Sequence, residues 1–89
     1  MAVKTASNLK RENMGSKNLL VATFTDLDDG DTYASGLGAG GVFAHWFQRT
    51  DNPTTTAAVG VSVAESSGTF TFYPAEDDAT GNLFIMTNK

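Results

Sequence analysis

The stretch that decides the fold is Ala58-Val59-Gly60-Val61-Ser62-Val63-Ala64-Glu65-Ser66-Ser67-Gly68-Thr69-Phe70-Thr71-Phe72-Tyr73. Val59, Val61 and Val63 recur at every second position with small residues between them, the period of a strand with one buried face. Ser66-Ser67-Gly68 follows as a tight turn, after which Phe70 and Phe72 again share one face. Two alternating runs joined by a serine-glycine turn predict an antiparallel hairpin.

Outward from this hairpin the texture stays β. Upstream, Leu19 to Thr25 is rich in β-branched and apolar residues and is closed by Asp28-Asp29-Gly30, and Thr32-Tyr33-Ala34 is a short third run. The glycine-rich Gly36 to Gly41 leads into Val42 to Gln48, stopped by Asp51-Asn52-Pro53. Downstream, Pro74 and the acidic Glu76-Asp77-Asp78 precede Gly81-Asn82 and a last strand, Leu83 to Thr87. No helical period runs through the chain after residue 17. The predicted fold is all-β: a small antiparallel β-sandwich or barrel of about six strands with an extended N-terminal arm.

Charge divides the chain at the same point. Residues 1–17 carry Lys4, Lys10, Arg11 and Lys17 against Glu12, a net of +3, whereas residues 18–89 carry Arg49 and Lys89 against nine carboxylates, a net of −7. Residues 1–17 therefore read as a basic arm and residues 18–89 as an acidic body. In the arm, Val3, Ala6, Leu9 and Met14 lie at loosely helical spacing, and the expectation is a segment disordered when free that orders on a partner. An acidic body argues against a nucleic-acid-binding domain, because phosphate backbones are held mainly by Lys and Arg. No stretch approaches the ~18 apolar residues of a membrane span, and the start lacks the apolar segment of a signal peptide, so the expectation is a soluble chain made in the cytoplasm with no membrane partner.

The absence of cysteine excludes disulfides, thiolate metal sites and cysteine nucleophiles. His45 is the one histidine and sits mid-strand between Ala44 and Trp46, a poor place for a catalytic base. Gly36, Gly38 and Gly41 spell a dinucleotide-binding fingerprint, but an aromatic strand follows where that motif needs a helix. These features predict no enzyme and no cofactor. Asp26, Asp28 and Asp31 are calcium candidates, since the ion takes hard oxygen ligands, yet an EF-hand register fails: Gly30 stands at a ligand position, Asp31 where glycine belongs and Leu37 in place of the bidentate glutamate. Glu76-Asp77-Asp78 reads as a solvated loop that protects an edge.

Two strands are apolar on both faces. Val42, Ala44 and Trp46 alternate with Phe43, His45 and Phe47, and Leu83 and Ile85 alternate with Phe84 and Met86. A chain this small covers two faces with difficulty, so Phe43, His45, Phe47, Phe84 and Met86 are the candidate subunit interface. The alternative is a closed barrel whose loops cover the second face. Tyr33, Trp46 and Tyr73 open a further alternative, a carbohydrate- or receptor-binding surface of a fibre or adhesin module.

The basic arm, the small β-rich body, the hairpin Gly68-Thr69-Phe70-Thr71-Phe72 and the terminal Gly81-Asn82-Leu83-Phe84-Ile85-Met86 together resemble head decoration (cement) proteins of tailed bacteriophages. The resemblance covers most of the chain as texture and implies a non-catalytic virion protein, made in the host cytoplasm, that binds the outside of the assembled capsid and stabilises it. It further implies a homotrimer, the major capsid protein as partner, and an arm whose Lys4, Leu9, Lys10, Arg11, Met14 and Lys17 contact the capsid. Likeness at the level of fold leaves function to be argued from the site.

Overall fold

The computed structural model describes residues 2–51 and 60–88, and these form seven strands in two packed antiparallel sheets. The strands are β1 (Asn8–Met14), β2 (Lys17–Leu27), β3 (Thr32–Ala34), β4 (Val42–Arg49), β5 (Val61–Ser66), β6 (Thr69–Pro74) and β7 (Ala79–Thr87). One sheet has the order β1-β2-β7-β4 and the other β3-β6-β5. The decisive hairpin is present as β5 and β6, Ser66 facing Thr69 across a two-residue turn. Ser67 and Gly68 both have positive φ, 51° and 86°, as a type I′ turn requires. Gly68 is required a second time by space, since a Cβ there would lie 2.7 Å from the Gly38 backbone nitrogen. The fourth predicted strand is described from Val61; Ala58 and Val59, like Asn52 and Pro53 of the predicted turn, lie outside the described residues.

The core follows from strand alternation. Leu20, Ala22 and Phe24 of β2, Leu83 and Ile85 of β7, and Phe70 and Phe72 of β6 are buried between the sheets, with Leu37 of the glycine-rich loop as a plug. The Phe24 ring lies 4.9 Å from that of Tyr33 and 5.2 Å from that of Phe72, in tilted contacts that interlock the two layers. Each fully buried phenylalanine contributes about 1.5–3 kcal/mol of transfer free energy. Near its end β2 makes a bulge between Phe24 and Leu27, with Asp26 at φ 55°, and resumes pairing with Ala79.

The N-terminal segment is extended, as predicted, but it is neither free nor helical. Ala2 to Lys4 run parallel to β3, with the Lys4 N–H donating to the Thr32 carbonyl at 2.7 Å and the Thr32 N–H to the Ala2 carbonyl at 2.8 Å. Ala6 then packs against the core, and β1 pairs with β2 from Asn8↔Thr23 to Met14↔Lys17. Thus one segment ties the edge of the three-stranded sheet to the edge of the four-stranded one. The overlooked signal is Gly15-Ser16: Gly15 has φ 73°, and its N–H donates to Asn13 Oδ1 at 2.9 Å, which closes a two-residue hairpin turn. Periodicity conceals β1 because all seven of its residues are exposed, so neither face required apolar residues.

Candidate functional site

Register assigns each residue of the four-stranded sheet to a face, because directly opposed residues of antiparallel strands project to the same side. On the outer face Lys10, Val21, Phe84 and Trp46 form one row across β1, β2, β7 and β4, and Glu12, Leu19, Met86 and Ala44 form the next. A third row, Asn8, Thr23, Asn82 and Gln48, is polar, with Thr23 Oγ1 donating to Asn82 Oδ1 at 2.6 Å. Trp46 and Phe84 stack with their ring planes 6° apart and centroids 5.2 Å apart. Trp46 is 46% exposed and Phe43 62%, values that leave a contiguous apolar surface open to solvent. Lys17 Nζ lies 4.9 Å from the Phe43 ring centroid, a cation–π contact at the margin of this patch.

The predicted interface set is thereby divided. Phe43, Phe84 and Met86 belong to the outer surface, Phe43 at a bulge between Val42 and Ala44. His45 and Phe47 face inward instead: the His45 ring stands edge-on to Phe70 at 5.3 Å, and Phe47 meets Phe72 at 5.8 Å. The physical reason is alternation, which sends successive residues of β4 to opposite faces. His45 Nδ1 is buried and has no hydrogen-bond partner among the described residues, which is a packing position. Leu19, Val21 and Trp46, absent from the predicted set, complete the patch; the signal was the continuous apolar run Leu19-Leu20-Val21-Ala22, which marks a strand with both faces apolar.

The six arm residues are also separated. Lys10 lies on the outer face, while Leu9 and Arg11 oppose Ala22 and Leu20 on the inner face, beyond the buried core. Met14 and Lys17 flank the hairpin turn, and Lys4 sits by β3, its Nζ 4.0 Å from Asp31 Oδ2. The aromatic alternative is dispersed as well: Tyr33 packs against Phe24 and Phe70 with its hydroxyl pKa raised by burial, Trp46 lies on the outer sheet face, and Tyr73 is exposed on β6.

The calcium candidates are not gathered into a site. Asp31 is 2% exposed, and its carboxylate accepts the Ala2 N–H at 2.9 Å and the Asp28 N–H at 2.8 Å. Asp28 Oδ1 accepts the Asp78 N–H, and Asp77 Oδ1 accepts the Asp29 N–H, so the two acidic turns are stitched to each other through backbone donors. The nearby Asp28 charge, with desolvation and the Asp26 and Asp77 charges, raises the Asp78 pKa. Among the described residues, no group of three or more His, Asp or Glu side chains is arranged to hold a metal ion.

At the far end of β4, Arg49 is buried and its fork donates to Asp51, from Nε at 2.6 Å and from Nη2 at 3.1 Å, while Nη1 donates to the Glu76 carbonyl at 3.0 Å. The hydrogen bond from Arg49 lowers the Asp51 pKa to about 2. The bond to Glu76 ties the end of β4 to the loop before β7. No pocket opens among the described residues; the apolar outer face and the exposed strand β1 are surface features. No protein-family model, curated protein or solved structure matches the chain.

Proposed function

We propose that this chain is a non-catalytic assembly module that decorates the outside of a protein shell, in the manner of phage head decoration proteins. The observation that carries the proposal is the outer face of the four-stranded sheet, where exposed Trp46 and half-buried Phe84, Met86, Leu19 and Val21 form an apolar surface. Such a surface on a body whose core is already closed is supported energetically by contact with another protein. Stacked Trp46 and Phe84 are the anchor, because rigid aromatic groups bury large areas at small entropic cost. In this reading the shell's major capsid protein is the partner, the chain acts as a homotrimer on the virion surface, and repetition over the shell multiplies weak single contacts.

Light scattering of the full chain, followed by co-sedimentation with phage heads stripped of their own decoration protein, tests the proposal. Trp46→Ser and Phe84→Asp are expected to abolish pelleting and lower the native mass while the denaturation midpoint of Trp46→Ser stays near that of the unaltered chain. A wild-type chain that is monomeric and fails to pellet with any head would refute it. A second reading, glycan binding, is favoured by one observation: the Trp46–Phe84 platform lies beside the amides of Asn82 and Gln48, an apolar ring face next to hydrogen-bonding groups. Tryptophan fluorescence titrated with soluble oligosaccharides decides between the two.

A further inference from the structure

The outer edge of β1 is a second exposed feature, separate from the apolar face. Among the described residues, β1 is an unbulged seven-residue strand with a ladder to β2 alone, so its other edge presents backbone donors and acceptors. All seven residues are exposed on both faces. Isolated edge strands of this kind are templates for further pairing unless their side chains forbid it. The side chains here are Asn8, Leu9, Lys10, Arg11, Glu12, Asn13 and Met14, without proline. Among registers centred on a charged residue, their charges favour one.

We infer that two copies of the chain pair antiparallel through β1, about a two-fold axis through Arg11, to make one continuous eight-stranded sheet. A two-fold axis normal to the sheet keeps outer residues on the outer side, so only residues of like facing can be opposed. Three registers then centre on the charged residues. Centring on Lys10 sets Lys10 against its own counterpart, and centring on Glu12 sets Glu12 against its own, in both cases on the outer face beside the apolar rows. Centring on Arg11 opposes Lys10 of one protomer to Glu12 of its partner twice over, on that same face. Asn8 then meets Met14 and Leu9 meets Asn13. The two Arg11 residues also oppose each other, on the inner side of β1, one like-charge contact set against the two Lys10–Glu12 pairs.

The contact does not rest on the shell proposal, because Lys10 and Glu12 belong to β1 and not to the Trp46–Phe84 patch. Whatever state the outer face produces, β1 pairing adds one further copy across each β1 edge. Sedimentation velocity of the full chain over a concentration series is the test. Glu12→Lys and Lys10→Glu, each placing like charges across the axis, are expected to lower the mass and weaken association at least about tenfold. The double variant Lys10→Glu with Glu12→Lys restores the opposed pairs and is expected to restore the mass. Both residues are exposed, so the denaturation midpoint serves as a control that the variants fold. Raising salt weakens the wild-type association by screening, and in a Trp46→Ser background Glu12→Lys still lowers the mass. Equal masses for wild type and Glu12→Lys, or a double variant that stays dissociated, would overturn the inference and leave the charges of β1 as guards of a solitary edge.

Discussion

Replacing Asp31 by asparagine should cost this protein much of its stability, although the change is isosteric and deletes no apolar contact. Asp31 is 2% exposed and joins three parts of the chain: it accepts the N–H of Ala2 and of Asp28, and the Lys4 ammonium stands 4.0 Å away. Asparagine keeps one acceptor oxygen and turns an N–H₂ toward the second backbone donor, which is then left without a partner. Loss of one hydrogen bond to a charged acceptor amounts to about 1.5–3 kcal/mol. Against a total of about 5–15 kcal/mol for a natural domain that is a large share, and for a chain of this length it lowers the melting temperature by roughly 10–20 °C.

The assay is urea denaturation, in which the midpoint of Asp31→Asn falls with an unchanged slope, combined with amide exchange at Lys4 and Thr32. Those amides, which pair the N-terminal segment with β3, are expected to exchange faster in the variant. The pH dependence supplies a second test. Burial by itself raises the Asp31 pKa, but the backbone donors of Asp28 and Ala2 and the Lys4 charge outweigh it and hold the carboxyl below its ordinary 3.8. Because the folded value is the lower one, the stabilisation is complete above the unfolded value and fades as pH falls through the folded one. The gap between wild type and variant must therefore narrow in acid. A stability loss under about 0.5 kcal/mol at neutral pH, the range of an ordinary surface substitution, would refute the reasoning.

His45→Phe is expected to raise stability by up to about 1 kcal/mol in thermal or urea melts, since it removes a buried nitrogen that lacks a partner and keeps the edge-on contact with Phe70. A marked loss would show that the imidazole is required. Arg49→Gln should return the Asp51 pKa from about 2 toward 3.8, read by a carboxylate NMR titration. In the wild type, the stabilisation from Asp51 is present above 3.8 and lost as pH falls toward 2, so without Arg49 the acid limb of the stability profile loses this contribution.

Much of the architecture is legible where burial imposed a pattern. The valine and phenylalanine alternation at Val61, Val63, Phe70 and Phe72, with Ser67-Gly68 between, marks the β5–β6 hairpin without reference to anything distant. The two-faced character of β4 and β7 is likewise visible in their apolar runs. β1 escapes notice because an exposed strand carries no alternation, and its charges look like those of a free tail. The outer patch is half visible: Phe84 and Met86 stand out in the terminal strand, but His45 and Phe47 cannot be told from Ala44 and Trp46 until one face of β4 is known to meet Phe70 and Phe72.

The sequence by itself determined the all-β class, the principal turns, the charge division at residue 17 and the presence of two strands with apolar residues on both faces. Those properties are local: each depends on side-chain period, on backbone preference at glycine, serine and aspartate, or on a count of charges. The tertiary structure alone decided the order β1-β2-β7-β4, which side of β4 is inside, and that Ala2 to Lys4 and β1 tie two sheet edges together. It also decided that Trp46 and Phe84, far apart in the chain, stack as one surface. Backbone pairing between distant segments is chemically the same for any side chain, so the choice among pairings is made by the packing of the whole and is not written in any one stretch.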